Sequence, residues 1–87
     1  MHSLVFGNSF VFSVKKLDHG TKLQVDALLQ VLKNNPFHPR LHTKPLHGKL
    51  AGFYSFRIGR DYRAVFKFLD NKKIFLLRVK HRKEVYK

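Results

Sequence analysis

The side chains in this sequence that suit phosphate chemistry crowd into its second half. Arg57, Arg63 and Tyr86 are the candidates for direct participation, with His81 as a possible proton carrier. Guanidinium groups match phosphate oxygens in bidentate fashion. Cleavage of RNA by its own 2′-hydroxyl needs few further parts: a base takes the hydroxyl proton, cations stabilise the crowded phosphorane, and an acid protonates the departing 5′ oxygen. An aromatic such as Tyr86 in a basic neighbourhood stacks on a nucleobase, worth roughly 1–3 kcal/mol. Glu84 is the only acid near the C-terminal basic run. That argues against a two-metal nuclease, which needs several carboxylates. The six histidines are His2, His19, His38, His42, His47 and His81, and none shows a zinc-site spacing. His38 and His42 are four apart, but Pro39 between them breaks a regular helix. His81 lies beside the basic run and is the best placed for acid–base work. The expected reaction is metal-independent, and no cofactor is expected.

Charge points the same way. Lysine and arginine number 18 against 5 acids, a formal +13 over 87 residues. The imbalance favours a polyanionic partner. It is also uneven: residues 1–39 carry four bases against two acids, a net of +2, whereas residues 40–87 carry 14 against three, a net of +11. Self-repulsion at that density disfavours an unused surface. Lys44, Lys49, Arg60, Lys67, Arg78 and Lys83 are the expected RNA-binding residues around the reactive set. The chain has no cysteine, which excludes disulfides and thiolate metal sites. No apolar run approaches the ~20 residues that cross a bilayer, and the N-terminus does not read as a signal peptide. A cytoplasmic, membrane-free protein of one domain, residues 1–87, is expected.

These side chains need a scaffold. Leu4–Phe6 reads as a short strand. Asn8 or Ser9 can cap a helix with Phe10, Val14 and Leu17 on one face, although Phe10-Val11-Phe12 also suits a strand. A firmer helix covers Lys22–Asn34, where Val25, Leu28, Leu29 and Leu32 recur at three and four residues. Asn34-Asn35-Pro36 stops it. Pro36, Pro39, Pro45 and Gly48 make residues 36–48 a loop. Three alternating strands follow. Tyr54, Phe56 and Ile58 form the apolar side of the first, and Tyr62, Ala64, Phe66 and Phe68 that of the second. Phe75, Leu77 and Val79 are assigned to the helix-facing side of the third. The opposite face then carries Ser55, Arg57, Arg63, Lys67, Arg78 and Lys80, with Val65, Ile74 and Leu76 between them. If Ile58 pairs with Tyr62 across the tight loop, Arg57 lies directly opposite Arg63. Like charges so placed are destabilising, and a bound phosphate reverses the sign. The expected fold is α+β: two N-terminal helices on one face of a small, mainly antiparallel, twisted sheet.

Three stretches in order resemble the RelE/ParE toxin superfamily. Lys44-Pro45-Leu46, Gly48, Leu50, Gly52, Arg57 and Gly59 reproduce the spacing of its proline–glycine segment. Asp61-Tyr62-Arg63 with Phe66 resembles its arginine-bearing strand, and Arg78-Val79, His81-Arg82 and Val85-Tyr86 its C-terminal ending. The resemblance implies a toxin of a type II toxin–antitoxin pair, with a cognate antitoxin that blocks the basic surface in a hetero-oligomer. For the RelE-type branch it implies an endoribonuclease that cuts mRNA in the ribosomal A site. It further implies that Arg63 stabilises the phosphorane, Arg82 assists the leaving group, Tyr86 orients the nucleotide, and Arg57 helps activate the hydroxyl. Ser55 departs from a lysine found in some members, which leaves the proton acceptor among His81, Lys80 and Glu84. Two other readings compete: a ParE-like inhibitor of DNA gyrase, and a basic RNA-binding module without catalysis.

Overall fold

The computed structural model describes residues 1–85; Tyr86, one of the four residues expected to do chemistry, lies outside the described residues. Strand β1 (Ser3–Phe6) leads into α1 (Asn8–Lys15) and α2 (His19–Asn34). Strands β2 (Lys44–Pro45), β3 (Tyr54–Ile58), β4 (Tyr62–Phe68) and β5 (Lys73–His81) follow, and α3 (Arg82–Val85) continues directly from β5. The sheet order is β1-β5-β4-β3-β2. β1 pairs with β5 in parallel, and every other pairing is antiparallel. The architecture is thus α+β as expected, with a mixed sheet and a third, short helix that the sequence reading did not assign.

The helices form where the apolar spacing requires. Val25, Leu28, Leu29 and Leu32 of α2 are buried against Phe56, Ile58, Ala64, Phe66, Ile74, Leu76 and Val79 of the sheet. Each such side chain contributes roughly 1.5–3 kcal/mol by leaving water. α2 begins at His19, earlier than its apolar repeat, behind an extended Asp18 that accepts a hydrogen bond from the Thr21 hydroxyl. α1 is helical through Phe10-Val11-Phe12, so the strand alternative for that segment fails. Its N-cap is Gly7 rather than Asn8 or Ser9. A Cβ at Gly7 would stand 2.7 Å from the Phe75 ring and 2.9 Å from the Leu76 carbonyl oxygen, so the junction of β1 and α1, held against β5, requires glycine. Within the expected loop 36–48, Lys44 and Pro45 pair with Ser55 and Tyr54, which makes a two-residue edge strand.

The assignment of β5 to faces needs correction in its first half. Ile74 and Leu76, expected on the basic face, are fully buried in the helix-side core, whereas Phe75 and Leu77 turn to the other side. The cause is a bulge: Val65 pairs with Arg78 but Phe66 pairs with Leu76, so Leu77 is an extra residue on β5. An inserted residue inverts the parity of everything before it. Leu77 then joins a second apolar cluster with Leu46, Leu50, Phe53, Val65 and Val85. The face opposite α2 is therefore not an open basic plain. Its centre is covered by the loop after β2 and by α3, and Ser55 and Val65 are buried there.

Candidate active site

The sheet register places the cations. Arg57 lies opposite Arg63, as the loop length between β3 and β4 implied, and Arg63 lies opposite Lys80. Three positively charged residues therefore stand in one cross-strand row over β3, β4 and β5, with directly opposed side chains about 4.5–5.5 Å apart at Cβ. Such a row opposes folding unless something neutralises it.

Arg63 is the row's centre and is buried. Its Nη1 donates to the carbonyl oxygens of Arg60 at 3.1 Å and Tyr62 at 2.8 Å. Those two bonds use both Nη1 protons. The Nε and Nη2 protons have no partner among the described residues, and that edge of the guanidinium is the one that meets an oxyanion in a fork. The carbonyls thus fix the plane of the group while leaving its bidentate edge free. Preorganisation of this kind is what phosphorane stabilisation requires.

Lys80 closes one end of the row. Its Nζ lies 3.5 Å from Glu84 Oε2, one turn along the chain. Both groups are about half exposed, so this pair contributes at most about 1 kcal/mol to stability. It does bring a carboxylate to the end of the row. Arg82 is tethered beside the other strands: its backbone N–H donates to the Asp61 carbonyl at 2.7 Å, and its Nε is 4.0 Å from Asp61 Oδ1. Asp61 therefore docks α3 onto the β3–β4 turn. Sequence reasoning gave Asp61 no role, and its only signal was its place beside Tyr62 and Arg63. His81 Nδ1 accepts from the Lys83 N–H at 3.2 Å, which in the neutral ring leaves the proton on Nε2. Its ring lies edge-on to Tyr62 at 5.8 Å. His81 is held as a donor rather than as a base.

The remaining expected contacts disperse. Lys44 and Lys49 line a groove of about 670 Å3 with Leu46, Leu50 and Val85. Lys67 sits over the Phe53 ring at 5.2 Å, and Lys83 is exposed on α3. Arg60 supplies a carbonyl to Arg63 and is itself exposed. Arg78 lines a groove with Ser9, Lys16, Lys80 and His81, and its Nε is buried without a hydrogen-bond partner among the described residues. The structure thus brings Arg57, Arg63 and Lys80 into one row, places Arg82, His81 and Glu84 at the adjoining end of β5 and α3, and leaves Lys44, Lys49 and Lys67 apart. Among the described residues, no three His, Cys, Asp or Glu side chains gather as metal ligands would, and no helix is long and apolar enough to cross a membrane.

Comparison with known proteins agrees with this fold. The family profile described as the ParE toxin of the type II toxin–antitoxin system parDE matches residues 6–86. No curated protein sequence matches the chain. Among solved structures, the chain is similar to the RelBE2 toxin–antitoxin complex of Mycobacterium tuberculosis at 28% identity. That alignment covers 93% of this chain and 98% of the other, with a TM-score of 0.78. YafQ of E. coli aligns over 100% of both chains at 19% identity and a TM-score of 0.80. The YoeB–YefM complex of Staphylococcus aureus aligns over 92% of this chain and 95% of the other at 20% identity, with a TM-score of 0.75.

Proposed function

This chain belongs to the ParE toxin family of type II toxin–antitoxin systems, within the RelE/ParE superfamily, and from the cations aligned on its sheet we propose that it is an endoribonuclease that cuts mRNA on the ribosome. The observation that carries the proposal is the row Arg57–Arg63–Lys80 with the Nε/Nη2 edge of Arg63 left unpaired among the described residues. Opposed cations held on rigid strands are costly to fold without an anion between them. A crowded phosphorane is such an anion.

In this reading Arg63 holds the non-bridging oxygens through its free edge, and Arg57 shares the phosphate from the next strand. Glu84, beside Lys80, accepts the 2′-hydroxyl proton; the 2′ oxygen attacks phosphorus as the bond to the 5′ oxygen breaks. The departing 5′ oxygen takes a proton from water, and Arg82 stabilises the charge there. The products are a 2′,3′-cyclic phosphate and a free 5′-hydroxyl, with the proton returned from Glu84 by way of water. No metal enters this scheme. Tyr86 keeps its expected role of orienting the nucleotide. A cognate antitoxin covers this basic surface and so neutralises it, in keeping with the two complexes above that hold a toxin with its antitoxin.

Primer extension on an mRNA translated in a cell-free system tests the proposal. New 3′ ends at codons, only with ribosomes present, are expected. The matched ParE profile favours a second reading, inhibition of DNA gyrase, and gyrase-linked DNA breaks with intact mRNA would establish that one instead.

A further inference from the structure

A cavity of about 430 Å3 lies on the far side of Arg57, where α2, the turn Pro39–Leu41 and β3 meet. Gln24, Arg40, His42, Arg57 and Gly59 line it. Two guanidiniums, an imidazole and a carboxamide thus come from three separate elements, and no described acid lines the space. The chain's described ion pairs are Lys80–Glu84 and Arg82–Asp61, so the side chains of Arg40 and Arg57 have no ion-pair partner among the described residues. Bringing two guanidiniums to one cavity without a counter-charge opposes folding, as like charges do elsewhere in the chain.

The backbone is shaped to keep this arrangement open. His42 adopts a left-handed conformation, with φ 50° and ψ 45°, which a residue with a side chain adopts rarely and at a cost of roughly 1–2 kcal/mol. Gly59 has φ 62°, and a Cβ there would stand 3.1 Å from the Gln24 Oε1 atom. A side chain at position 59 would press on the Gln24 carboxamide that lines the cavity.

We propose that this cavity is a second phosphate site, filled by a backbone phosphate of the RNA neighbouring the one that is cut. Donors of three kinds and no carboxylate suit a phosphate oxyanion. Arg57 ties the two sites together, since it belongs to the catalytic row and also lines the cavity. The inference rests on the ribonuclease reading for the identity of its ligand, but not for the chemistry of the site.

The test uses the whole chain and the variant Arg40→Gln with His42→Asn, asparagine being tolerant of the left-handed backbone. Inorganic phosphate is titrated while the His42 ring resonance is followed by NMR in the wild type. A saturable shift is expected, and Arg40→Gln alone should weaken it at least tenfold. Binding of an uncleavable 2′-O-methyl RNA is then measured against salt. Loss of one phosphate contact lowers the slope of log affinity on log salt by about 0.7, which amounts to about fivefold weaker binding near 0.1 M salt if the curves converge near 1 M. A phosphate response with an unchanged RNA slope would assign the cavity to free phosphate and overturn the RNA contact. A changed slope without a phosphate response would reduce Arg40 and His42 to diffuse surface charge and overturn the site. If the wild type binds no RNA, the ribonuclease reading fails and the RNA assignment with it, whereas the phosphate titration still decides whether an anion site exists.

Discussion

Replacing Arg63 by lysine separates its two duties. Arg63 donates from Nη1 to the Arg60 and Tyr62 carbonyls at 3.1 and 2.8 Å, and it is only 7% exposed. Hydrogen bonds from a charged donor are worth about 1.5–3 kcal/mol each when buried, and somewhat less here because the turn that carries the acceptors is open to water. Arg63→Ala should therefore destabilise by roughly 2–4 kcal/mol, which at about 4–8 °C per kcal/mol for a chain of this size lowers Tm by about 8–30 °C. Arg63→Lys keeps the charge and one donor to those carbonyls, so about half of that loss should return. It cannot keep the free Nε/Nη2 edge. Losing a preorganised oxyanion donor costs about 2.7–4 kcal/mol in the transition state, or 10²–10³ in rate. Thermal unfolding and primer extension on the same preparations read the two duties separately. Arg63→Lys should be folded at 37 °C, bind RNA with nearly the wild-type salt slope, and cut at 1% of the wild-type rate or less. A lysine variant that cuts within about threefold of the wild type would refute the catalytic role and leave Arg63 as a staple of the β3–β4 turn.

Three other outcomes follow from single contacts. Glu84→Gln removes the proposed proton acceptor and a half-exposed ion pair with Lys80; cleavage should fall about 10²-fold with Tm nearly unchanged, and undiminished cleavage would move the acceptor role elsewhere. Ser13→Ala removes the oxygen that accepts the Val79 N–H at 2.9 Å and donates to the Phe10 carbonyl at 3.0 Å, where α1 crosses β5. The orphaned N–H should cost about 1–3 kcal/mol of stability, read as a fall in denaturation midpoint. At the start of α2, the Thr21 hydroxyl bonded to Asp18 holds that carboxyl below the usual carboxylate range. A depressed native value adds stability above the unfolded value of about 3.9 and loses it as pH falls through the native one. The difference in unfolding midpoint between the wild type and Thr21→Val should thus be present at pH 7 and be lost in acid, as pH falls through the lowered native value.

What the sequence discloses depends on whether local pattern or pairing decides. The opposition of Arg57 to Arg63 was legible because a tight loop fixes the register on either side of it. The burial of α2 was legible because Val25, Leu28, Leu29 and Leu32 leave it one way to turn. Residues 74–77 read Ile-Phe-Leu-Leu, apolar at every position, so alternation says nothing about which pair faces the core. The bulge opposite Val65 and Phe66 decides it, and a bulge is a property of two strands together. The same limit hid the third member of the cationic row, because Lys80 joins it only once β5 is aligned on β4. α3 is four residues held by the Asp61 carbonyl, a contact between residues 21 apart with no local signature.

The compensation of the row gives the strongest physical reason to look for an anion. Strand pairing forces Arg57, Arg63 and Lys80 together whether or not they attract anything. At the centre, two carbonyl oxygens offset the charge of Arg63; at one end, Glu84 offsets Lys80. Arg57 at the other end has neither kind of offset among the described residues, and it is exposed next to a cavity that Arg40 and His42 also line. A row balanced for stability alone would place an acid beside Arg57, and all five acids of the chain stand elsewhere: Asp18 and Asp26 at α2, Asp61 and Asp70 in turns, and Glu84 on α3. On the ribonuclease reading proposed above, the missing counter-charge comes from the bound RNA, and stability should rise with a bound polyanion most strongly when Arg57 is present. Thermal shift with the 2′-O-methyl RNA, compared between the wild type and Arg57→Gln, measures that coupling; an equal rise in Tm for both would mean that the uncompensated end of the row is incidental.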